Sequence, residues 1–156
     1  MSVVRDALLQ LLRDAEVEFR HVEHGPTRTS EESAAARGEP LAIGGKTLLL
    51  KVDDRFELFV LSAARRMVSS RARQAVGARR SRFATEAELL ERTGLVPGTV
   101  PPFGTPLFDL PLNADRSVLA IDRIAFNAAS PTESVVMATA DWLRLAKPRL
   151  LDYTRD

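Results

Sequence analysis

The chain has 156 residues, 45% hydrophobic and 28% charged, with a formal net charge of +1. That suits one compact domain with a proper core and leaves no global electrostatic signature. It contains no cysteine, which excludes disulfides and thiolate metal sites and fits a reducing compartment. No apolar run approaches the roughly 20 residues needed to span a bilayer. Arg5, Asp6, Arg13 and Asp14 break any signal-peptide core at the N-terminus, so the expectation is a soluble cytoplasmic protein.

In chain order, residues 2–15 place Val4, Leu8, Leu11, Leu12 and Ala15 at helical spacing, an amphipathic helix. "VEFRHV" alternates and predicts a strand. "TSEESAAARGEP" opens with Thr29 or Ser30 as N-cap, carries acids in its first turn and stops at Gly38, a short helix. "KTLLLKV" and "FELFVL", joined by Asp53, Asp54 and Arg55, predict a β-hairpin through the core. Leu48, Leu49 and Leu50 are apolar on both faces, which makes the first strand central. A helix is expected over 67–76, ended by Gly77. Another is expected in "ATEAELLERTG", where Thr85 and Glu88 form a capping box and Gly94 closes the element. Four strand-like pieces follow, "LFDLPL", "SVLAI", "IAFN" and "SVVMA", then a helix in "ADWLRLA" and a short strand or tail in "RLLDY". With no internal repeat and no linker, the prediction is a single α+β domain over 1–156, a mixed central β-sheet with surrounding helices.

Several chemical motifs fail on inspection. "GGKT" at 44–47 lacks the glycine that a phosphate loop needs six positions before its lysine, since Pro40 stands there, and the residues after it predict strand rather than helix. His21 and His24 are at odd spacing on a strand, which sends them to opposite faces, and there is no third histidine. No metal or cofactor is expected. There is no Gly-x-Ser-x-Gly elbow and no thiol nucleophile; Asp53 and Asp54 are turn residues. An enzyme built from this chain would work through binding, backbone dipoles and a water.

Three features remain. Between Glu57 and Glu86 there is no acid, yet Arg65, Arg66, Arg71, Arg73, Arg79, Arg80 and Arg82 fall there; the block is either a solvated helical face or a surface for a polyanion. Lysine is rare, three against nineteen arginines, yet Lys46 opens the central strand after two glycines that let backbone approach a ligand closely. An ammonium at a strand mouth reaches a phosphate or carbonyl oxygen while its stem packs on the sheet; the alternative is a solvated strand-end lysine. Finally, "RTGLVPGTVPPFG" at 92–104 packs three glycines and three prolines into thirteen positions. It is either a rigid connector or a loop whose backbone is itself the tool.

The order of "TSEESAA", "GGKTLLLKV", "FVLS", "ATEAELLERTGLVPGTVPPFG" and "IAFNAASPTESVVMATADWLRL" resembles the YbaK/prolyl-tRNA-synthetase-associated family of trans-acting aminoacyl-tRNA deacylases, over about residues 20–146. The strand-opening Lys46 and the Gly-x-x-Pro-Gly loop of Gly94, Pro97 and Gly98 carry it. The resemblance implies that Lys46 engages the terminal adenosine of a tRNA and that Gly94, Pro97 and Gly98 shape the aminoacyl pocket. It implies that Thr29 and Ser30 begin a pocket-side helix. Asn127, Ala128 and Ala129 take the place of a small-residue turn with glycine, and Ala129 stands where that glycine is expected. Backbone N–H donors around Gly98, with Lys46, then stabilise the charge that develops when positioned water cleaves the ester of a small amino acid. Arg65, Arg66, Arg71, Arg73, Arg79 and Arg80 would hold acceptor-stem phosphates, and an aminoacyl-tRNA synthetase is an expected partner. Two alternatives remain: a non-catalytic tRNA- or synthetase-binding module of the same fold, and a deacylase of some other small acyl adduct.

Overall fold

The structure, a computed structural model, describes residues 3–156. Met1 and Ser2, and with them the predicted start of the first helix, lie outside the described residues. Helix α1 (Val3–Asp14) buries Leu8, Leu9 and Leu12, the stripe its spacing demands. Strand β1 (Phe19–Glu23) follows, then α2 (Ser30–Arg37). Thr29 Oγ1 accepts from Glu32 N at 3.1 Å, and Gly38 closes the helix in the left-handed conformation at φ 69°. Strands β2 (Gly45–Val52) and β3 (Arg55–Ser62) form the hairpin around Asp53 and Asp54.

Beyond the hairpin come β4 (Arg66–Met67), α3 (Ser69–Ala75), β5 (Ser81–Phe83), α4 (Glu86–Thr93) and β6 (Leu112–Asp115). The chain ends in β7 (Arg123–Asn127), β8 (Glu133–Ala138), α5 (Thr139–Ala146), β9 (Arg149–Leu151) and β10 (Thr154–Arg155). A five-stranded sheet, β5-β2-β3-β6-β9, is antiparallel from β5 to β3 and parallel from β3 to β9. This mixed sheet is the centre of the fold. A three-stranded antiparallel sheet, β1-β8-β7, stands beside it, linked by a single bridge between Gly44 and Ala125.

The hairpin is buried on both faces because its apolar residues do not alternate. Leu49, Leu58 and Val60 join the large core with α1, α5, Phe103 and Phe126, while Leu50, Val52, Phe59 and Leu61 pack with Ala72, Val76 and Tyr153. Gly45 has a packing role of its own. A Cβ there would lie 2.7 Å from Ile124 Cδ1, so the close approach that requires glycine is to β7 rather than to a ligand.

Three local expectations are corrected. "LFDLPL" is mostly a run of bends, and its strand begins only at Leu112. "SVLAI" lies mostly in a 3-10 helix over Arg116–Ala120, because the Asp115 carboxylate accepts from Ser117 N at 3.1 Å and starts a turn that the β-branched residues cannot override. The arginine-rich stretch contains β5, an edge strand too short and polar to show alternation.

Candidate active site

The first cavity opens where β2, paired with β3 on one side, has no strand paired with it on the other. β5 pairs only with Leu50, Lys51 and Val52, so Gly45 to Leu48 form a free strand edge. A cavity of about 350 Å³ lies along that edge, closed by the start of α2, the 96–100 loop and the end of β7. Its wall contains Thr29, Ser30, Lys46, Pro97, Gly98 and Asn127, six of the residues singled out in the sequence. Lys46 and Pro97 therefore border one space. Lys46 is half-buried and makes no ion pair among the described residues.

The loop geometry explains its composition. Val96-Pro97-Gly98-Thr99 is a β-turn closed by Thr99 N donating to Val96 O at 3.2 Å, with Gly98 at φ 86°. Proline at the second position and a left-handed glycine at the third are what a type II turn requires. Thr99 Oγ1 also donates to Val96 O, at 2.8 Å. The N–H groups of Gly98 and Val100 find no acceptor among the described residues. Two unspent donors thus belong to residues that line the same cavity as Lys46.

Gly94, Ala128 and Ala129 do not line this cavity. Gly94 is the left-handed C-cap of α4, at φ 75°. Ala128 and Ala129 are buried in the large core. Ala129 nevertheless has φ 59°, so the position where glycine was expected does adopt a backbone that favours glycine.

Several wall residues escaped the sequence reading, Arg37 among them. Arg37, the last residue of α2, is only 8% exposed. Its Nε donates to Ser134 Oγ and its NH2 group to Asn127 Oδ1, both at 3.0 Å. Burial pulls its guanidinium down to about 10, opposed by the charge of Glu39, so it stays cationic at neutral pH. Glu39 itself holds Arg20 and Arg123. In sequence Arg37 was an ordinary helix-end arginine, and only the tertiary fold shows that it turns inward. Behind this wall His24 Nε2 lies 2.9 Å from Ser134 Oγ.

The arginine block divides in two. Arg65 donates to Thr154 Oγ1 and Asp156, and Arg71 to the Thr154 carbonyl, so both serve the C-terminal segment. Arg66 lies in β4, paired with Arg155. Arg73, Arg79, Arg80 and Arg82 instead meet Lys51, Asp53 and Asp54 around a second cavity of about 470 Å³. Asp53 Oδ1 holds the Arg79 and Arg80 N–H groups, both at 3.0 Å. Hydrogen bonds from those two amides hold the Asp53 carboxyl below its ordinary range. Arg82 is neutralised by Glu88 at 2.7 and 3.0 Å. Lys51, on β2, lies about 17 Å along the strand from Lys46 at roughly 3.3 Å per residue, and β5 continues the same sheet edge.

The aminoacyl-tRNA editing domain model matches residues 24–145. The chain belongs to that family. It is 35% identical over 162 residues to the "Multifunctional Ser/Thr-tRNA deacylase ProXp-y" of Escherichia coli (strain K12), covering 99% of this chain and 95% of the relative. A "Proline--tRNA ligase" of Shouchella clausii (strain KSM-K16) is 33% identical over 101 residues, 65% of this chain and 18% of the ligase. A crystal structure described as a trans-editing enzyme for prolyl tRNA synthetase superposes with a TM-score of 0.83 at 25% identity, covering 100% of this chain and 99% of the other. The matched editing segment contains every cavity-lining residue named above.

Proposed function

We propose that this editing-family protein is a trans-acting aminoacyl-tRNA deacylase. It hydrolyses the ester between a small amino acid, of the size of serine or threonine, and a ribose hydroxyl at the tRNA 3′ end. The observation that carries the reading is the shared cavity: Lys46 and the Pro97-Gly98 turn, whose neighbouring Gly98 and Val100 N–H groups are unspent, line the same small space. The relative's name, a Ser/Thr-tRNA deacylase, supports the substrate class.

In this reading Lys46 engages the terminal nucleotide and holds the ester against the turn. Water adds to the ester carbonyl carbon, and the oxygen that becomes anionic meets the N–H groups of Gly98 and Val100. Preorganised donors of this kind are worth about 3–4 kcal/mol each in other enzymes. The intermediate collapses with cleavage of the C–O bond, and the proton lost by the water ends on the departing ribose oxygen. An ester is activated enough for positioning to supply much of the remaining acceleration. Selectivity is then steric, a sieve that takes a small aminoacyl group and spares the larger correct product. Lys51, Arg73, Arg79 and Arg80, further along the same edge, contact the RNA backbone. The protein acts in the cytoplasm beside a synthetase that makes the mischarged product.

The test is single-turnover hydrolysis of a panel of tRNAs carrying serine, threonine, alanine or proline, with the native protein and Lys46→Ala. Rapid loss of a small, wrong aminoacyl group that disappears in the variant is expected. Binding without turnover would replace the deacylase with a non-catalytic module. No tRNA binding at low salt would point to another acyl adduct.

A further inference from the structure

Arg37 and Asn127 make a chain of hydrogen bonds that ends on the catalytic turn. Arg37 NH2 donates to Asn127 Oδ1 at 3.0 Å, and Asn127 Nδ2 donates to the Gly98 carbonyl at 2.8 Å. The chemistry fixes the orientation of that amide. A guanidinium can only donate, so the oxygen must face Arg37; a carbonyl can only accept, so the nitrogen must face Gly98. Ser134 Oγ reinforces the arrangement, lying 3.3 Å from Asn127 Oδ1 while it accepts from Arg37 Nε at 3.0 Å.

We infer that Arg37 is a positioning residue for the deacylation: acting through the Asn127 amide, it holds the Gly98 carbonyl and with it the Gly98–Thr99 peptide plane, on which the two flanking planes that carry the Gly98 and Val100 N–H donors hinge. The inference rests on the proposed reaction, to which it adds a residue on a different element. Three elements meet in this relay: the C-terminal end of α2, the end of β7 and the turn itself. The turn is otherwise exposed at Val96, Pro97 and Gly98, and its internal bonds to Val96 O set its shape but not its placement over the cavity. Gly98 has no side chain with which to anchor itself. A carbonyl held from outside supplies the missing anchor. Arg37 needs its own full fork for this, with one nitrogen on Ser134 and another on Asn127, which a lysine cannot reproduce.

The decisive variant is Asn127→Asp. It keeps the size of the side chain and strengthens the contact to Arg37 into an ion pair, but sets an acceptor against the Gly98 carbonyl. If Arg37 merely docks α2, Asn127→Asp leaves the chemical step intact. If the relay governs the turn, single-turnover kcat falls about tenfold to a hundredfold, the range that a small misplacement of catalytic groups produces, while KM for tRNA changes less than threefold. Arg37→Met is expected to give a similar loss, and Arg37→Met combined with Asn127→Ala no more than Asn127→Ala alone, because residues acting as one unit are non-additive. Arg37→Lys is expected to recover little of the rate.

Amide hydrogen exchange at Thr99, whose N–H shares the Gly98–Thr99 peptide plane and is bonded to Val96 O, provides a readout independent of catalysis. It should quicken in Asn127→Asp and Arg37→Met, with no change in α2. If the native protein hydrolyses nothing but exchange quickens as described, the deacylase reading falls and the relay stands. Rates within threefold of native, additive losses in the double variant, or unchanged exchange in Asn127→Asp would each overturn the relay. Should Arg37→Met not fold, Asn127→Asp and its exchange data decide alone.

Discussion

Replacing Lys46 by methionine removes a charge while keeping most of an unbranched stem on the sheet. The side chain is half-buried and has no ion-pair partner among the described residues, so no carboxylate is stranded by its loss. Folding stability should therefore change by no more than about 0.5 kcal/mol. Activity should behave differently. A hydrogen bond from a charged donor is worth about 1.5–3 kcal/mol, and at 1.36 kcal/mol per tenfold its removal costs about 10- to 160-fold in kcat/KM. Rapid-quench hydrolysis of seryl- or threonyl-esterified tRNA, followed beside a thermal melt, measures both quantities. Lys46→Met hydrolysing within threefold of the native rate would refute the reasoning. So would an activity loss matched by a drop in melting temperature large enough to explain it.

Three further outcomes follow from the same geometry. Asp115 is buried and its carboxylate accepts from Tyr153 N at 2.7 Å, Thr154 N at 3.1 Å, Thr154 Oγ1 at 2.8 Å, Ser117 N at 3.1 Å and Ser117 Oγ. Burial pushes this carboxyl up, but the hydrogen bonds outweigh it and hold it below its ordinary range. A depressed folded-state value means the group contributes stability above about pH 4, lost as pH falls through the folded value; urea melts should show that Asp115→Asn costs about 2–4 kcal/mol at pH 7 and loses less stability than the native protein below pH 4. At Ala129, φ 59° disfavours a Cβ by about 1–2 kcal/mol, partly offset by the entropy of a glycine in the unfolded chain. Ala129→Gly should raise the melting temperature by about 2 °C, and a fall would show the strain argument wrong. Replacing Arg79 and Arg80 together by glutamine should leave kcat unchanged, raise KM and reduce the salt slope of tRNA binding by about one to two; an unaltered slope would show that the second cavity does not meet RNA.

Much of the fold was legible because its signals are local. The α4 capping box of Thr85 and Glu88 is present on both sides, with Glu88 Oε1 accepting from Thr85 N at 2.8 Å and Thr85 Oγ1 from Glu88 N at 3.1 Å. Thr29 and Gly38 bound α2 for equally local reasons. One misread stretch carried a local signal just outside the segment that was read as strand: Asp115 caps the 3-10 helix from two residues before Ser117. Asp115 both starts the 3-10 helix at Ser117 and ties Tyr153 and Thr154 to the sheet, and nothing in "SVLAI" reveals that carboxylate. Gly45 was legible as a close-approach glycine, but its neighbour, Ile124, is 79 residues away in sequence. At the site, Lys46, Pro97, Gly98 and Asn127 were picked out in sequence and the fold gathers them around one cavity. Arg37 could not be found this way, since an arginine at a helix end is usually a cap on the macrodipole. The arginine block was legible as a charge excess but not as two groups, because Glu88 and the C-terminal segment that take up Arg82 and Arg65 lie outside it.

The need for glycine at 45 also explains why the site is where it is. With no side chain there, β7 can close on the mouth of β2, and Ile124 fills the space a Cβ would take. Three residues further along β7 that contact delivers Asn127 to the cavity that Lys46 also lines, where its amide reaches the turn. The free edge of β2 exists because β5 stops at Leu50; a longer β5 would pair with residues 45–48 and fill the cavity with backbone. The cavity is thus the space left where a short edge strand ends and a second sheet begins. Its ammonium and its donor turn are supplied by different elements. A rigid frame of this kind can hold N–H donors still while the loop that carries them remains exposed to an incoming RNA.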